Sequence, residues 1–409
     1  MLDQFQALFN SPIFHVIGQI FDVIYYSSFL WGPAVLVWLA QHLWLEYIRM
    51  EFIRKNYPFI MLEIKLPRII EKTPIAMELV LQSLYQAKPG DWFETWWQGY
   101  VKPWFSLEIV SIEGDVKFYI RTPAKFKKLI ESHVYAQYPD IEVHEAQDYV
   151  SKAPYIHEKK EWSMWGTEYT LTMPDPYPIK TYVDYGLDST MLKEENKSDP
   201  ITSTIEFMGS IGRGQQIWTQ ILVQANNPRF RTPGTWFSFH DWKKEGKEVI
   251  KKLQEKHSGD FGFFKATKRE GEIVNAIERS LGKPGFDCGI RSLYIAKKEF
   301  FDPTNISGVV GAFSQYNSFD LNGFKSVNKT VMNYPWSDYH DIRVNKKKKK
   351  MFDAYVRRSY FYAPHKKKPF VLNSEELATI FHFPGGVAET PTFNRIESRK
   401  GEPPSNLPI

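Results

Sequence analysis

Hydrophobic and polar positions follow two different patterns along the chain. From Ile24 to Leu45, 22 residues run without an Asp, Glu, Lys or Arg. At about 1.5 Å per residue, a helix of that length reaches roughly 33 Å, enough to cross about 30 Å of hydrocarbon. Trp31, Trp38 and Trp44 lie along it, and Tyr25 and Tyr26 stand at its outer end, where aromatic belts form. Gly32-Pro33 predicts that the regular helix begins there and runs past Tyr47. A buried core helix is the competing reading, and the uncharged length argues against it. The first Lys or Arg is Arg49, which argues against a cleaved signal peptide. The stretch Phe5 to Ile24 is also apolar, with Asp22 its one charge. It fits an interfacial amphipathic lead-in or the first arm of a helical hairpin, and one span with a lead-in is the preferred reading. Arg49, Arg54 and Lys55 follow the span at once, which predicts a single-pass protein of the inner (cytoplasmic) membrane with its C-terminal body in the cytoplasm.

Beyond residue 56 the pattern changes to alternation. Ile60, Leu62, Ile64 and Leu66 mark one face of a strand. Thr73-Pro74 opens a helix with Met77, Val80, Leu81 and Leu84 as its buried stripe. Phe105, Leu107 and Ile109 predict a second strand, and Glu113-Gly114-Asp115 turns into a third with Val116, Phe118 and Ile120. Thr122-Pro123 opens a second helix, and Ile141 and Val143 begin a fourth strand. The order β-α-β-β-α-β is the ferredoxin-like pattern.

A looser copy follows. It has a strand at Tyr169, Leu171 and Met173, a helix from Asp199-Pro200, and strands at 217–223 and 286–290. Two inserted helices are expected near 241–255 and 269–282. A helix from Asp302-Pro303 comes next, then a last strand at Phe370 and Leu372, and a short helix capped by Asn373 and Glu376. The expected fold is therefore α+β, with an N-terminal transmembrane helix followed by two ferredoxin-like (βαββαβ) units, the second carrying long insertions. Its parts are an interfacial segment and span over 1–56, a first domain over 57–150, a second over 151–400 with helical and basic insertions, and a Pro-rich tail over 401–409. Residues 174–199 link the two units or form a long loop.

Composition narrows the class without naming a reaction. The 409 residues are 43% hydrophobic and 24% charged, a globular balance, with 16% aromatics. One cysteine, Cys288, excludes an internal disulfide and a Cys-based zinc cluster. No G-x-x-x-x-G-K-[ST] loop and no nucleophile elbow occur. Gly209, Gly212 and Gly214 run from helix into strand, the reverse of a phosphate loop. No close His/carboxylate pair is a better metal candidate than His340-Asp341, and a surface turn explains that one. No cofactor, metal or catalytic residue is expected, and the chain reads as a non-enzyme.

Two segments read as binding surfaces. Arg343, Lys346, Lys347, Lys348, Lys349, Lys350, Arg357, Arg358, Lys366, Lys367 and Lys368 face Asp353 alone. That window carries +10 of a net charge of +5, so the remainder carries −5. Such a concentration attracts phosphates without sequence specificity. Tyr355, Tyr360, Phe361 and Tyr362 are interleaved with it, and aromatics beside Arg stack on unpaired bases. Nucleic acid, anionic lipid and a solvated lysine loop with core aromatics all remain open. The second segment, Trp92 to Trp104, places Trp92, Phe93, Trp96, Trp97 and Tyr100 within nine residues. Trp92, Trp96, Trp97 and Tyr100 are candidates for membrane or partner contact; closure over the sheet as core is the alternative.

Several segments carry a family likeness: Met61-Leu62-Glu63-Ile64-Lys65-Leu66-Pro67, Pro103-Trp104-Phe105-Ser106-Leu107-Glu108-Ile109, Asn305-Ile306-Ser307-Gly308 and, most specifically, Leu372-Asn373-Ser374-Glu375-Glu376-Leu377-Ala378-Thr379 with His382-Phe383-Pro384-Gly385. In these the chain resembles the membrane-anchored, poorly characterised region beside or ahead of type IV secretion and conjugation ATPases (coupling-protein and HerA/TraG-like proteins). In such proteins the C-terminal block leads into a RecA-like motor, whereas here no Walker A loop follows before Ile409. The resemblance therefore implies a scaffold that docks a separate P-loop ATPase in DNA translocation. Its partners would be the lipid bilayer, that ATPase, DNA at the basic segment and further copies of itself. A membrane-tethered nucleic-acid-binding protein using residues 343–368 is the alternative.

Overall fold

The computed structural model describes residues 12–67, 70, 72–152, 161–188, 199–228, 239, 241–256, 268–331 and 338–385. The expected tail over 401–409 lies outside the described residues, as do residues 5–11 of the lead-in. In chain order the first elements are α1 (Pro12–Asn56), β1 (Phe59–Lys65), α2 (Pro74–Ser83), α3 (Trp92–Trp96), β2 (Phe105–Ile112), β3 (Asp115–Pro123), α4 (Lys127–Gln137) and β4 (Glu142–Ala146). There follow β5 (Trp162–Leu171), α5 (Pro200–Gly209), β6 (Gln215–Ala225), α6 (Trp242–Lys256), α7 (Lys268–Leu281) and β7 (Gly285–Lys297). The last are α8 (Thr304–Ser314), β8 (Phe324–Val327), α9 (Ile342–Val356), β9 (Phe370–Asn373) and α10 (Ser374–Ile380).

The chain forms two compact units. One is α1 together with residues 90–101; the other holds residues 57–89 and the chain from 102 onward. In the first, α1 is a single helix of 45 residues that passes through Pro33 rather than starting at it. Residues 12–24 therefore continue the same helix instead of forming a separate arm. Its stretch Tyr25–Asn56 is long and apolar enough to cross a membrane, and only 6% of its most apolar window is buried. Most of that window is bare of other described parts of the chain, whereas a core helix is mostly buried.

The second unit is built on one antiparallel sheet in the order β4-β1-β3-β2-β6-β7-β5-β8, with β9 paired to β7. The first four strands stand 4-1-3-2 and the next four repeat that order in mirror sequence; the β2–β6 pair, Phe105↔Val223 to Ile112↔Gln216, joins them. The division expected at residue 150 thus falls inside a continuous sheet. Two strand positions differ from expectation. The place beside β5 belongs to β8, with Leu171 opposite Phe324. The strand at Phe370 and Leu372 pairs instead with β7, with Phe286 opposite Leu372. It takes the stretch of the β7 edge that β5 leaves free, because β5 reaches only Ile290.

Alternation sends successive side chains to opposite faces. On one face Leu62, Leu107, Phe118, Ile221 and Ile290 meet α2, α4, α5, α8 and α10. On the other, Met61, Val110, Tyr119, Met164, Trp218 and Leu293 meet Tyr149 and, from α9, Met351 and Tyr355. Asp199 caps α5 by accepting the Ile201 N–H at 3.1 Å, with Pro200 in the first turn. Asn373 and Glu376 form the expected capping box of α10, every residue of which is buried. The inserted α6 and α7 pack on each other through Ile250, Val274 and Ile277.

Candidate functional site

In the first unit, Asp91 opens α3 and its N–H donates to Glu94 Oε2 at 3.0 Å. The helix turns back within a few residues, with Trp97 N–H donating to the Phe93 carbonyl at 2.9 Å and Tyr100 N–H to that of Glu94 at 2.8 Å. Gly99 takes φ +68°, and a Cβ there would lie 2.6 Å from the Ile48 backbone. Only glycine permits both that conformation and that approach. Tyr100 meets Phe52 edge to face at 5.6 Å. So held, the segment forms a shelf along α1 that leaves Trp92, Trp97 and Trp96 exposed by 69%, 58% and 40%. The indoles do not close over the sheet as core. Between shelf and helix runs a groove of about 680 Å³, lined by Val37, Ala40, Gln41, Trp44, Trp92, Trp96 and Trp97.

The basic segment is mostly helix. Ahead of it His340 and Asp341 both adopt left-handed backbone, φ 51° and 57°. The Asp338 carboxylate then accepts the Arg343 and Val344 N–H groups, each at 2.8 Å, satisfying the free donors at the start of α9. Met351, Ala354 and Tyr355 face the sheet, while Lys346, Lys347, Lys349 and Lys350 are exposed. Lys348 is half-buried, and its ammonium is shifted down by that burial. The other predicted cations are scattered. Arg357 is exposed but pairs with Asp353 at 2.8 Å, and Lys367 pairs with Glu168. Lys366 and Lys368 are exposed beyond the helix.

Two parts of the sequence-based reading are corrected here. Arg358 is fully buried and belongs to no surface; its guanidinium holds Glu108 at 3.0 Å and Asp148 at 2.9 Å. Tyr355, Tyr360 and Phe361 are buried as well, and the Tyr362 hydroxyl accepts the Lys102 N–H at 3.1 Å. None of the three buried rings offers a face to an unpaired base.

Sequence reasoning missed what lies beneath α9. The strand registers align Glu63, Tyr119, Glu108, Gln220, Arg291 and Glu168 in one row across β1, β3, β2, β6, β7 and β5. Burial alone would raise the Glu108 carboxyl. The Arg358 charge and hydrogen bonds, with those from Ser106 and Tyr149, instead bring it down to about 2. The Tyr149 hydroxyl donates to Glu108 at 2.8 Å and lies 2.7 Å from that of Tyr355. Arg291 donates to the Ser359 carbonyl at 2.8 Å, while its Nε and Nη1 have no hydrogen-bond partner among the described residues. A polar residue at every second strand position reads as a solvent face, and only the helix on top of it says otherwise.

A second buried network surrounds α10. Glu78 accepts from Lys283, the Tyr182 hydroxyl and the Ser374 hydroxyl at 2.7–2.8 Å. Glu375 pairs with Lys283 at 2.9 Å and Arg279 at 3.3 Å. Burial pushes Glu376 up to about 8, against the N–H groups of Asn373 and Ile179 that favour its charge. These contacts are structural bracing: each acid is occupied by a base or a backbone donor. Cys288 is buried and its thiol is pushed up by burial, which leaves it inert at neutral pH. Among the described residues no three His, Cys, Asp or Glu are placed to hold a metal ion.

Residues 62–395 match the family described as a domain of unknown function (DUF8128), and the chain belongs to that family. No curated protein matches the chain.

Proposed function

We propose that this member of the DUF8128 family is a non-enzymatic, membrane-anchored scaffold of a type IV secretion or conjugative DNA-translocation system. In this reading α1 spans the inner membrane once, and the sheet unit lies in the cytoplasm, where it docks a separate P-loop ATPase. The observation that carries the membrane half is the bare apolar surface of α1, which water does not support over such a length. The tryptophan shelf adds amphipathic rings of the kind enriched at membrane–water boundaries. The basic residues Arg49, Arg54 and Lys55 support the cytoplasmic orientation. Anchoring confines the body to the membrane plane and raises its effective concentration for partners there.

The two strand quartets, each in the order 4-1-3-2 with its two helices on one face, support reading the sheet unit as two ferredoxin-like modules joined edge to edge. The secretion assignment rests on the resemblance of the C-terminal block around Leu372–Gly385. A second reading is favoured by the exposed lysines of α9: a tethered protein that binds the phosphates of DNA or anionic lipid.

Membrane fractions washed with alkaline carbonate test the anchor. The full chain is expected to stay in the pellet, and release into the wash sinks the reading. Affinity purification from a detergent extract tests the docking, with a P-loop ATPase of secretion type as the expected co-purifying partner.

A further inference from the structure

One wall of the groove in the first unit is α1 itself, through Val37, Ala40, Gln41 and Trp44. These positions recur at i, i+3, i+4 and i+7, so they form a single stripe. Ala40, the smallest of them, leaves the space that the shelf tryptophans bound from the other side. Apart from Gln41 and the indole N–H groups, the lining is apolar. The volume of about 680 Å³ falls within the roughly 300–1,000 Å³ of small-molecule sites.

The surroundings of that stripe identify the occupant. It belongs to the part of α1 apolar enough to cross a membrane, and its neighbours Leu36, Trp38, Leu39 and Leu43 are exposed. Whatever surrounds those side chains has direct access to the groove. Five residues past Trp44, about 7–8 Å along the axis, stands Arg49, whose buried Nε has no hydrogen-bond partner among the described residues. Gly99 brings the shelf against the backbone of Ile48 and Arg49 at the same level. Arg49 is not part of the groove's lining and stands beyond its Trp44 end.

We propose that the groove holds an acyl chain of a glycerophospholipid, with the phosphate at Arg49. The shelf then acts as a lipid clamp beside the span. This rests on the membrane reading of α1 given above. The Trp92, Trp96 and Trp97 rings pack along the chain, Gln41 offers its amide to a glycerol ester, and Arg49 supplies the charge-assisted contact that a phosphate takes best.

The full chain in nanodiscs of phosphatidylcholine and phosphatidylglycerol provides the test. Native mass spectrometry after detergent exchange counts retained phospholipid, and brominated acyl chains report contact through tryptophan quenching. Ala40→Phe fills the groove while keeping α1 apolar, and Arg49→Gln removes the phosphate partner. Both are expected to weaken retention about tenfold, the change that loss of roughly two buried methylenes produces, while carbonate resistance persists. Trp96→Ser, at an exposed position, opens the groove without filling it and is expected to lower quenching by brominated chains. Retention by Ala40→Phe equal to that of the unaltered chain overturns the clamp, as does an unaltered chain that integrates but retains no phospholipid. Release of the unaltered chain by carbonate is a different failure, because it removes the membrane reading on which the clamp rests.

Discussion

Leu36 and Trp38 on α1 are 65% and 63% exposed, whereas Glu108 on β2 and Arg358 after α9 are 0% and 1% exposed. The first unit carries large apolar side chains where water would be, and the second carries full charges where hydrocarbon would be. Each inversion needs a compensating environment. For the buried charges the compensation is internal: Glu108 and Arg358 meet in two hydrogen bonds, with Tyr149, Ser106 and Asp148 taking up the remaining polar atoms. For α1 no such compensation exists among the described residues, and under the proposed membrane reading lipid supplies it. A bare apolar helix thus stands beside a sheet that has brought its polar partners inside.

The sharpest way to break this comparison is to charge the apolar helix. Leu36→Lys with Leu39→Lys places two ammonium groups in mid-span at about 2.5–3.5 kcal/mol each, roughly 6 kcal/mol together. Carbonate-resistant integration is expected to be lost while the sheet unit keeps its folded protease resistance. Retained integration would mean that α1 does not face lipid.

Next in size is the buried pair. Arg358→Met leaves Glu108 uncompensated and is expected to cost about 3–5 kcal/mol in denaturant unfolding. The double variant Arg358→Met with Glu108→Leu should recover much of that loss. A single variant as stable as the parent would show that the pair contributes nothing.

The two perturbed carboxyls then give opposite pH limbs. Glu108 is lowered from 4.5 to about 2. Its contribution, roughly 3 kcal/mol, is present above pH 4.5 and fades as pH falls toward 2. Glu376 is raised to about 8, so the folded state holds its proton longer than the unfolded chain and stability declines as pH rises from 4.5 to 8. Glu376→Gln is expected to flatten that upper limb in thermal unfolding followed across pH. An unchanged limb would assign it to another group.

Smallest in stability, but most informative about surfaces, are the exposed side chains. Trp96→Ser with Trp97→Ser should change unfolding by less than about 0.5 kcal/mol while weakening membrane or partner association. Global unfolding would return these rings to the core. Lys346, Lys347, Lys349 and Lys350 changed together to Gln should likewise leave the fold intact. Salt-dependent binding of anionic vesicles or single-stranded DNA, with a slope that falls by about 0.7 per lost phosphate contact on single strands, is expected to drop. Unaltered binding would make the lysine face of α9 a solvated surface.

Features that act within a turn or two of the chain were written in the sequence. The uncharged run from Ile24, the alternation at Leu62, Leu107 and Phe118, the Asp199-Pro200 start and the Asn373/Glu376 box all reappear at their expected positions. Their signals are period and cap, which need no distant partner. The four-residue β8 carried too short an alternation to be seen and exists because the edge of β5 offers it a ladder. The stripe of Met351, Ala354 and Tyr355 finds its partners, among them Val110, Trp218 and Leu293, only on distant strands. Arg358 looked like one more surface cation because the carboxylate that claims it stands 250 positions earlier. The tryptophans beyond Asp91 were legible as an aromatic cluster but not as a shelf, since Gly99 finds its contact on a helix some fifty residues upstream. Local pattern fixes which segments become helix or strand. Which charge is buried, which ring is left bare and which strand gains an edge depend on contacts between segments far apart in sequence, and only the folded chain brings those together.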